Sequence, residues 1–99
     1  MKIRLLSPAK NEFNQAIRYY NEKRSGLGFR FSDAVKKTVQ GITRYPEAWP
    51  SISETTRHCQ VKGFPYSVIY YRRVDELVIV AVMHNSREPY KWKDRLPAI

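Results

Sequence analysis

The chain has 99 residues, 42% of them hydrophobic, which is enough for one modest core and predicts a single domain over residues 1–99. Its 18 basic and 9 acidic residues give a net charge of +9. This charge indicates an anionic partner, either nucleic acid or an acidic protein, rather than a membrane. A charge that serves only solubility is the alternative.

The single cysteine, Cys59, excludes an intramolecular disulfide and a multi-cysteine zinc site. It lies in the middle of a predicted strand, where a buried, unreactive thiol is the usual outcome. No apolar run has the length of a signal peptide or a membrane span, so we expect a cytoplasmic protein.

The N-terminal part predicts one short strand and two helices. Residues 3–6 read as a strand, Ser7 as a helix N-cap and residues 8–23 as a helix. The apolar face of this helix has the three-and-four spacing of Phe13, Ala16, Ile17 and Tyr20. Gly26 suits a left-handed residue that ends the first helix, and a second helix is predicted over residues 27–45. We expect the two helices to form an antiparallel hairpin packed on a sheet.

A loop over residues 46–51 carries Trp49, which we expect to lie under the helices. Residues 56–62 predict a strand with Arg57, Cys59 and Val61 on one face. After a turn at residues 63–65, two further strands are predicted.

These last strands cover residues 68–71 and 77–83, with residues 72–76 as a hairpin tip. The almost uninterrupted apolar run of residues 77–83 is typical of a strand that is covered on both faces. The predicted order is β-α-α-β-β-β. This is an α+β fold in which an N-terminal helix hairpin packs on a small, mainly antiparallel, twisted sheet.

No familiar catalytic or cofactor-binding motif is present, and we expect neither a metal nor a cofactor. His58 and His84 lack obvious ligand companions, and a hydrogen-bonding structural role is the alternative to acid–base chemistry for His84. The remaining signal is a set of basic and aromatic side chains in and after the sheet that suit phosphates, bases or an acidic peptide. The candidate binding residues are Arg57, Lys62, Arg87, Lys91, Trp92, Lys93 and Arg95. We expect adjacent strands to bring Arg57 and Arg87 to one end of the sheet.

Several motifs resemble the RelE/ParE superfamily of bacterial toxins and follow one another in the same order over nearly the whole chain. The helical ones are Pro8-Ala9-x-x-Glu12-Phe13, Ala16-Ile17-x-Tyr19-Tyr20 and Gly26-Leu27-Gly28-x-x-Phe31. The later ones are Pro46-x-x-Trp49-Pro50, Arg57, Phe64-Pro65-Tyr66-x-Val68-Ile69-Tyr70, and Val78 to His84 followed by Arg87. The resemblance implies the compact β-α-α-β-β-β toxin fold of a type II toxin–antitoxin system, associated with plasmid stabilisation.

The superfamily has two main activities, poisoning of DNA gyrase and cleavage of messenger RNA on the ribosome. The nuclease branch usually carries an arginine that opens the third strand, where this chain has Tyr66. The pattern His84-x-x-Arg87 with a downstream aromatic residue is similar to the ParE-like branch, so the resemblance favours a gyrase-directed toxin. The alternative is a metal-independent endoribonuclease, for which Arg57, His84, Arg87 and Tyr90 are the candidate catalytic residues. A third hypothesis is a degenerate member that binds only its antitoxin.

The resemblance also implies a cognate antitoxin, which in this superfamily is acidic and partly disordered when free. We expect such a partner to fold along the positive surface and the groove beside the helices.

Overall fold

The computed structural model describes residues 1–86 and 91–97. The elements are β1 (Lys2–Leu5), α1 (Ser7–Lys23), α2 (Leu27–Arg44), β2 (Arg57–Gln60), β3 (Tyr66–Arg73), β4 (Glu76–His84) and a 3₁₀ helix (Lys91–Arg95). The strand order in the sheet is β1-β4-β3-β2, with β1 parallel to β4 and the other pairs antiparallel. The predicted α+β class and element order are confirmed. No helix within the described residues combines the length and apolar character that crossing a membrane requires.

The start of α1 differs from the prediction. Leu6, not Ser7, is the N-cap, and no side chain caps this helix. Leu6 N–H donates to the Ile79 carbonyl at 3.0 Å, and the Leu6 carbonyl accepts from Lys10 N–H at 3.0 Å. The sheet therefore holds Leu6 in an extended conformation, and the helix begins directly after it.

Gly26 adopts the predicted left-handed conformation, with φ 87°, but it is the N-cap of α2. The C-cap of α1 is Arg24, which is extended. The β3–β4 hairpin is tighter than predicted. Arg73 pairs with Glu76, so only Val74 and Asp75 form the tip.

The two helices are in close contact at Gly28, which is buried. Gly28 N–H donates to Asn21 Oδ1 at 2.8 Å. A Cβ added at Gly28 would overlap the backbone carbonyl oxygen of Ile17. The helix hairpin therefore requires a residue without a side chain at this crossing.

β4 is an inner strand of the sheet, and every residue from Leu77 to Met83 is buried. Both faces of this strand are therefore covered, as predicted for residues 77–83. On the face toward the helices, Phe31, Ile42, Tyr70 and Leu77 belong to the main core. Half-buried Trp49 packs against this core, as expected. On the opposite face, Trp92 packs with a smaller cluster that includes Val80. Cys59 is 6% exposed, and burial raises the pKa of its thiol.

We expect Gly28→Ala to lower the free energy of unfolding by about 2 kcal/mol or more, because the new methyl group has no space in the helix crossing. Gly41→Ala is the matched control in the same helix. Its Cβ would lie 3.8 Å from Trp49 Cζ2, an ordinary contact. Alanine there is expected to stabilise the helix by roughly 0.5–1 kcal/mol. Urea denaturation of both variants checks this, and similar losses in the two would contradict the packing argument.

Candidate functional site

Arg57 lies at the start of β2 and contacts the loop between α2 and β2. Its Nη1 donates to the Trp49 carbonyl at 2.7 Å. Beside it, the Tyr70 hydroxyl donates to the Pro46 carbonyl at 2.6 Å. Burial raises the pKa of Tyr70 to about 12, an effect that the positive charge of Arg57 partly offsets. Arg57 and Tyr70 therefore both hold this loop against the sheet.

His84 lies at the end of β4, directly opposite Tyr66 on β3. The two rings meet edge to face with centroids 5.3 Å apart. His84 Nδ1 accepts a hydrogen bond from Ser86 N–H at 3.2 Å, which puts the proton of the neutral ring on Nε2. His84 also lines a groove of about 510 Å³ with Glu12, Tyr19, Tyr20 and Lys91.

The structure does not bring Arg57 and His84 together. Arg57 pairs with Tyr70, which pairs with Ile79, and His84 comes five residues after Ile79 along β4. At about 3.3 Å per strand residue, the two lie roughly 16 Å apart along the sheet. Arg87 and Tyr90 lie outside the described residues, so a shared end for Arg57 and Arg87 stays a prediction.

Two other candidate binding residues, Trp92 and Arg95, make contacts within the protein. Trp92 is 3% exposed and packs under the sheet. The guanidinium of Arg95 makes a two-pronged ion pair with Glu12, at 2.8 Å from Nη1 to Oε1 and 2.9 Å from Nη2 to Oε2. In this conformation both side chains contact other parts of the protein, and their binding role stays a prediction.

The Glu12–Arg95 pair also completes the edge of β4. The partner strand β1 reaches only to Leu5, which pairs with Ile79. Beyond that point, Arg95 Nη1 donates to the Val80 carbonyl at 3.1 Å, and Val82 N–H donates to Glu12 Oε1 at 3.1 Å. Glu12 was not predicted from the sequence to have such a role. The available signal was the length difference between β1 and β4, which leaves backbone groups that need partners.

Lys62 lies in a wide groove that we call the basic groove, of about 810 Å³, between α2 and the β2–β3 turn. Its cationic side chains are Arg24, Arg30, Lys37 and Lys62. Only Lys62 among them was identified from the sequence. The seven-residue spacing of Arg30 and Lys37, which places both on one side of a helix, was the available signal. Of the other candidates, Lys91 lines the His84 groove, and Lys93 Nζ lies 5.9 Å from the Trp92 ring centroid.

A second groove beside the helices is apolar, and we call it the apolar groove. It has a volume of about 360 Å³ and is lined mainly by Ile3, Leu5, Phe13, Val35, Val39 and Val82. Ile3 and Leu5 are 46% and 39% exposed. The strand that carries them, β1, is an edge strand that pairs only with β4 among the described residues. One side of β1 is therefore available for pairing with another chain.

Comparison with known proteins identifies the class. Residues 3–89 match the family described as the ParE toxin of type II toxin-antitoxin system, parDE. The chain therefore belongs to the class of toxins of type II toxin–antitoxin systems. Within that class it belongs to the ParE toxin family, as the resemblance predicts.

Solved structures agree on the fold. The chain is similar to a chain of the chromosomal ParDE TA system from P. aeruginosa, with a TM-score of 0.74 at 12% sequence identity. The match covers 85% of this chain and 95% of that one. No curated protein sequence matches at a significant level.

We expect Arg95→Met to lower the free energy of unfolding by about 2–3 kcal/mol, because it leaves a partly buried carboxylate and the Val80 carbonyl without their partner. Arg4→Met is the matched control. It breaks the Arg4–Glu76 pair at 3.3 Å, whose side chains are 48% and 26% exposed. Its loss is expected to stay below about 1 kcal/mol. Equal losses in urea denaturation would contradict the role assigned to Arg95.

Proposed function

We propose that this ParE family toxin inhibits DNA gyrase by binding to it, and that a cognate acidic antitoxin neutralises it. The family match over residues 3–89 is the observation that carries the proposal. The match is to the ParE toxin rather than to the superfamily at large.

The two candidate catalytic residues that the structure describes, Arg57 and His84, do not form one nuclease site with each other. Cleavage of RNA by attack of the 2′-hydroxyl needs a base and a cation at one phosphate, within hydrogen-bond reach of the reacting atoms. Arg57 and His84 are separated by roughly 16 Å along the sheet, well beyond that reach. Arg57 also already donates to the Trp49 carbonyl.

Purified gyrase incubated with the full chain is expected to lose supercoiling activity or to accumulate cleaved DNA. The same reaction with the chain already bound to its antitoxin is the control and should show normal supercoiling. A parallel reaction contains translating ribosomes. Cuts in the messenger at the ribosomal A site, with gyrase unaffected, would contradict the proposal and favour the endoribonuclease. No effect in either assay would favour a member that binds only its antitoxin.

For the antitoxin, the apolar groove and the open side of β1 form the best-supported docking surface. The groove offers exposed Ile3 and Leu5, while Lys2, Arg4 and Lys36 lie on the same elements. An acidic chain that adds a strand to β1 and places apolar side chains in the groove would match both the shape and the charge of this surface. Antitoxins of this class are expected to be partly disordered when free and to become ordered on binding.

We expect Ile3→Glu to weaken the toxin–antitoxin complex by about 30-fold or more, because it puts a like charge into an apolar contact with an acidic partner. Val74→Glu is the matched control, since Val74 is 89% exposed and does not line the groove. Isothermal titration of each variant with the antitoxin encoded beside the toxin measures the effect. Equal affinity of the two variants would exclude this surface as the docking site.

A further inference from the structure

The basic groove lies on the opposite side of α2 from the apolar groove. Arg30, Ala34 and Lys37 line the former, whereas Val35 and Val39 line the latter. At 100° per residue, these two sets point in nearly opposite directions from the helix axis. A partner that covers the apolar groove therefore leaves the basic groove accessible.

The charge of the basic groove is largely unneutralised. Its one acidic side chain, Asp33, pairs with Lys37 at 3.3 Å. Arg24, Arg30 and Lys62 form no ion pair with any carboxylate of residues 1–86 and 91–97. Three exposed cations from the interhelical loop, α2 and the β2–β3 turn thus face the same space. Their mutual repulsion is relieved when an anion binds between them.

The groove suits a phosphate backbone better than an acidic peptide. A peptide in a groove relies on apolar anchors, and the large apolar side chains that line this groove, Tyr20, Leu27 and Phe64, are half-buried rather than exposed. The rings of Tyr20 and Phe64 in its wall already pack on each other, with centroids 5.0 Å apart. A nucleic-acid backbone needs only cations at suitable spacing.

We propose that the basic groove binds the phosphodiester backbone of duplex DNA through Arg24, Arg30 and Lys62. The proposal rests on the proposed function for its biological setting, because DNA is the substrate of gyrase. The binding itself is a property of the toxin alone. In the setting of the proposed function, the toxin would contact both gyrase and the DNA that gyrase binds.

The experiment compares two triple variants of the purified full chain, each lacking three exposed positive charges. Arg24→Gln, Arg30→Gln and Lys62→Gln change the groove, while Lys10→Gln, Arg18→Gln and Arg73→Gln are the matched control elsewhere on the surface. The affinity for a short labelled DNA duplex is measured by fluorescence anisotropy over a range of salt concentrations. Thermal melting of all proteins checks that they are folded.

Because the groove variant lacks three phosphate-binding cations, its slope of log affinity against log salt should be shallower than that of the wild type by about 2.7. Between about 50 and 200 mM salt, the affinity of the wild type should fall by a factor that is about 40 times larger than the factor for that variant. The control variant should retain most of the wild-type slope. Equal reductions of the slope in the two triple variants would overturn the proposal, because they would indicate diffuse attraction by net charge.

Two further probes separate the alternatives. If the groove variant loses binding to polyglutamate but keeps binding to DNA, the groove is a site for an acidic protein and the proposal fails. Tighter binding of an RNA duplex of equal length would overturn DNA as the ligand. Because gyrase is absent from these measurements, a positive result with a negative gyrase assay would refute the proposed function and leave the groove assignment standing.

Discussion

The ion pair between Glu12 on α1 and Arg95 in the C-terminal 3₁₀ helix is the contact on which the rest of this fold depends. β1 has four residues and β4 has nine, so the sheet edge beyond Ile79 has no strand to pair with among the described residues. The carboxylate and guanidinium supply the missing acceptor and donor for Val82 N–H and the Val80 carbonyl. One contact thus joins the first helix, the central strand and the C-terminal segment, and it keeps the strand end that carries His84 in place.

The second helix divides the functional surface into two parts of different chemistry. One side of α2 lines the apolar groove next to the open edge of β1, and the other side lines the basic groove. The proposed contact with an antitoxin and the proposed contact with DNA would therefore use different residues. The crossing at Gly28 sets the position of α2 against α1 and therefore the shape of both grooves.

The cations could be counted from the sequence, but those with partners could not be distinguished from those without. Arg57 and Arg95 bind a backbone carbonyl and a carboxylate, so much of their donor capacity is used internally. Lys62 belongs to a candidate site because the fold places Arg24 and Arg30 in the same groove. Ion pairs between residues as distant in sequence as Glu12 and Arg95 depend on strand register and helix placement, which local patterns do not encode.

By itself the sequence determined the element order, the two helices with their apolar stripes, the doubly covered central strand and the membership of the toxin family. These follow from short-range periodicity and from motifs that each span only a few residues. Only the tertiary structure decided that Leu6 rather than Ser7 is the N-cap of the first helix, that Trp92 is buried, and that Arg57 and His84 are far apart. The physical reason is that each of these outcomes depends on which backbone and side-chain groups meet across the sheet, and those meetings exist only once the chain is folded.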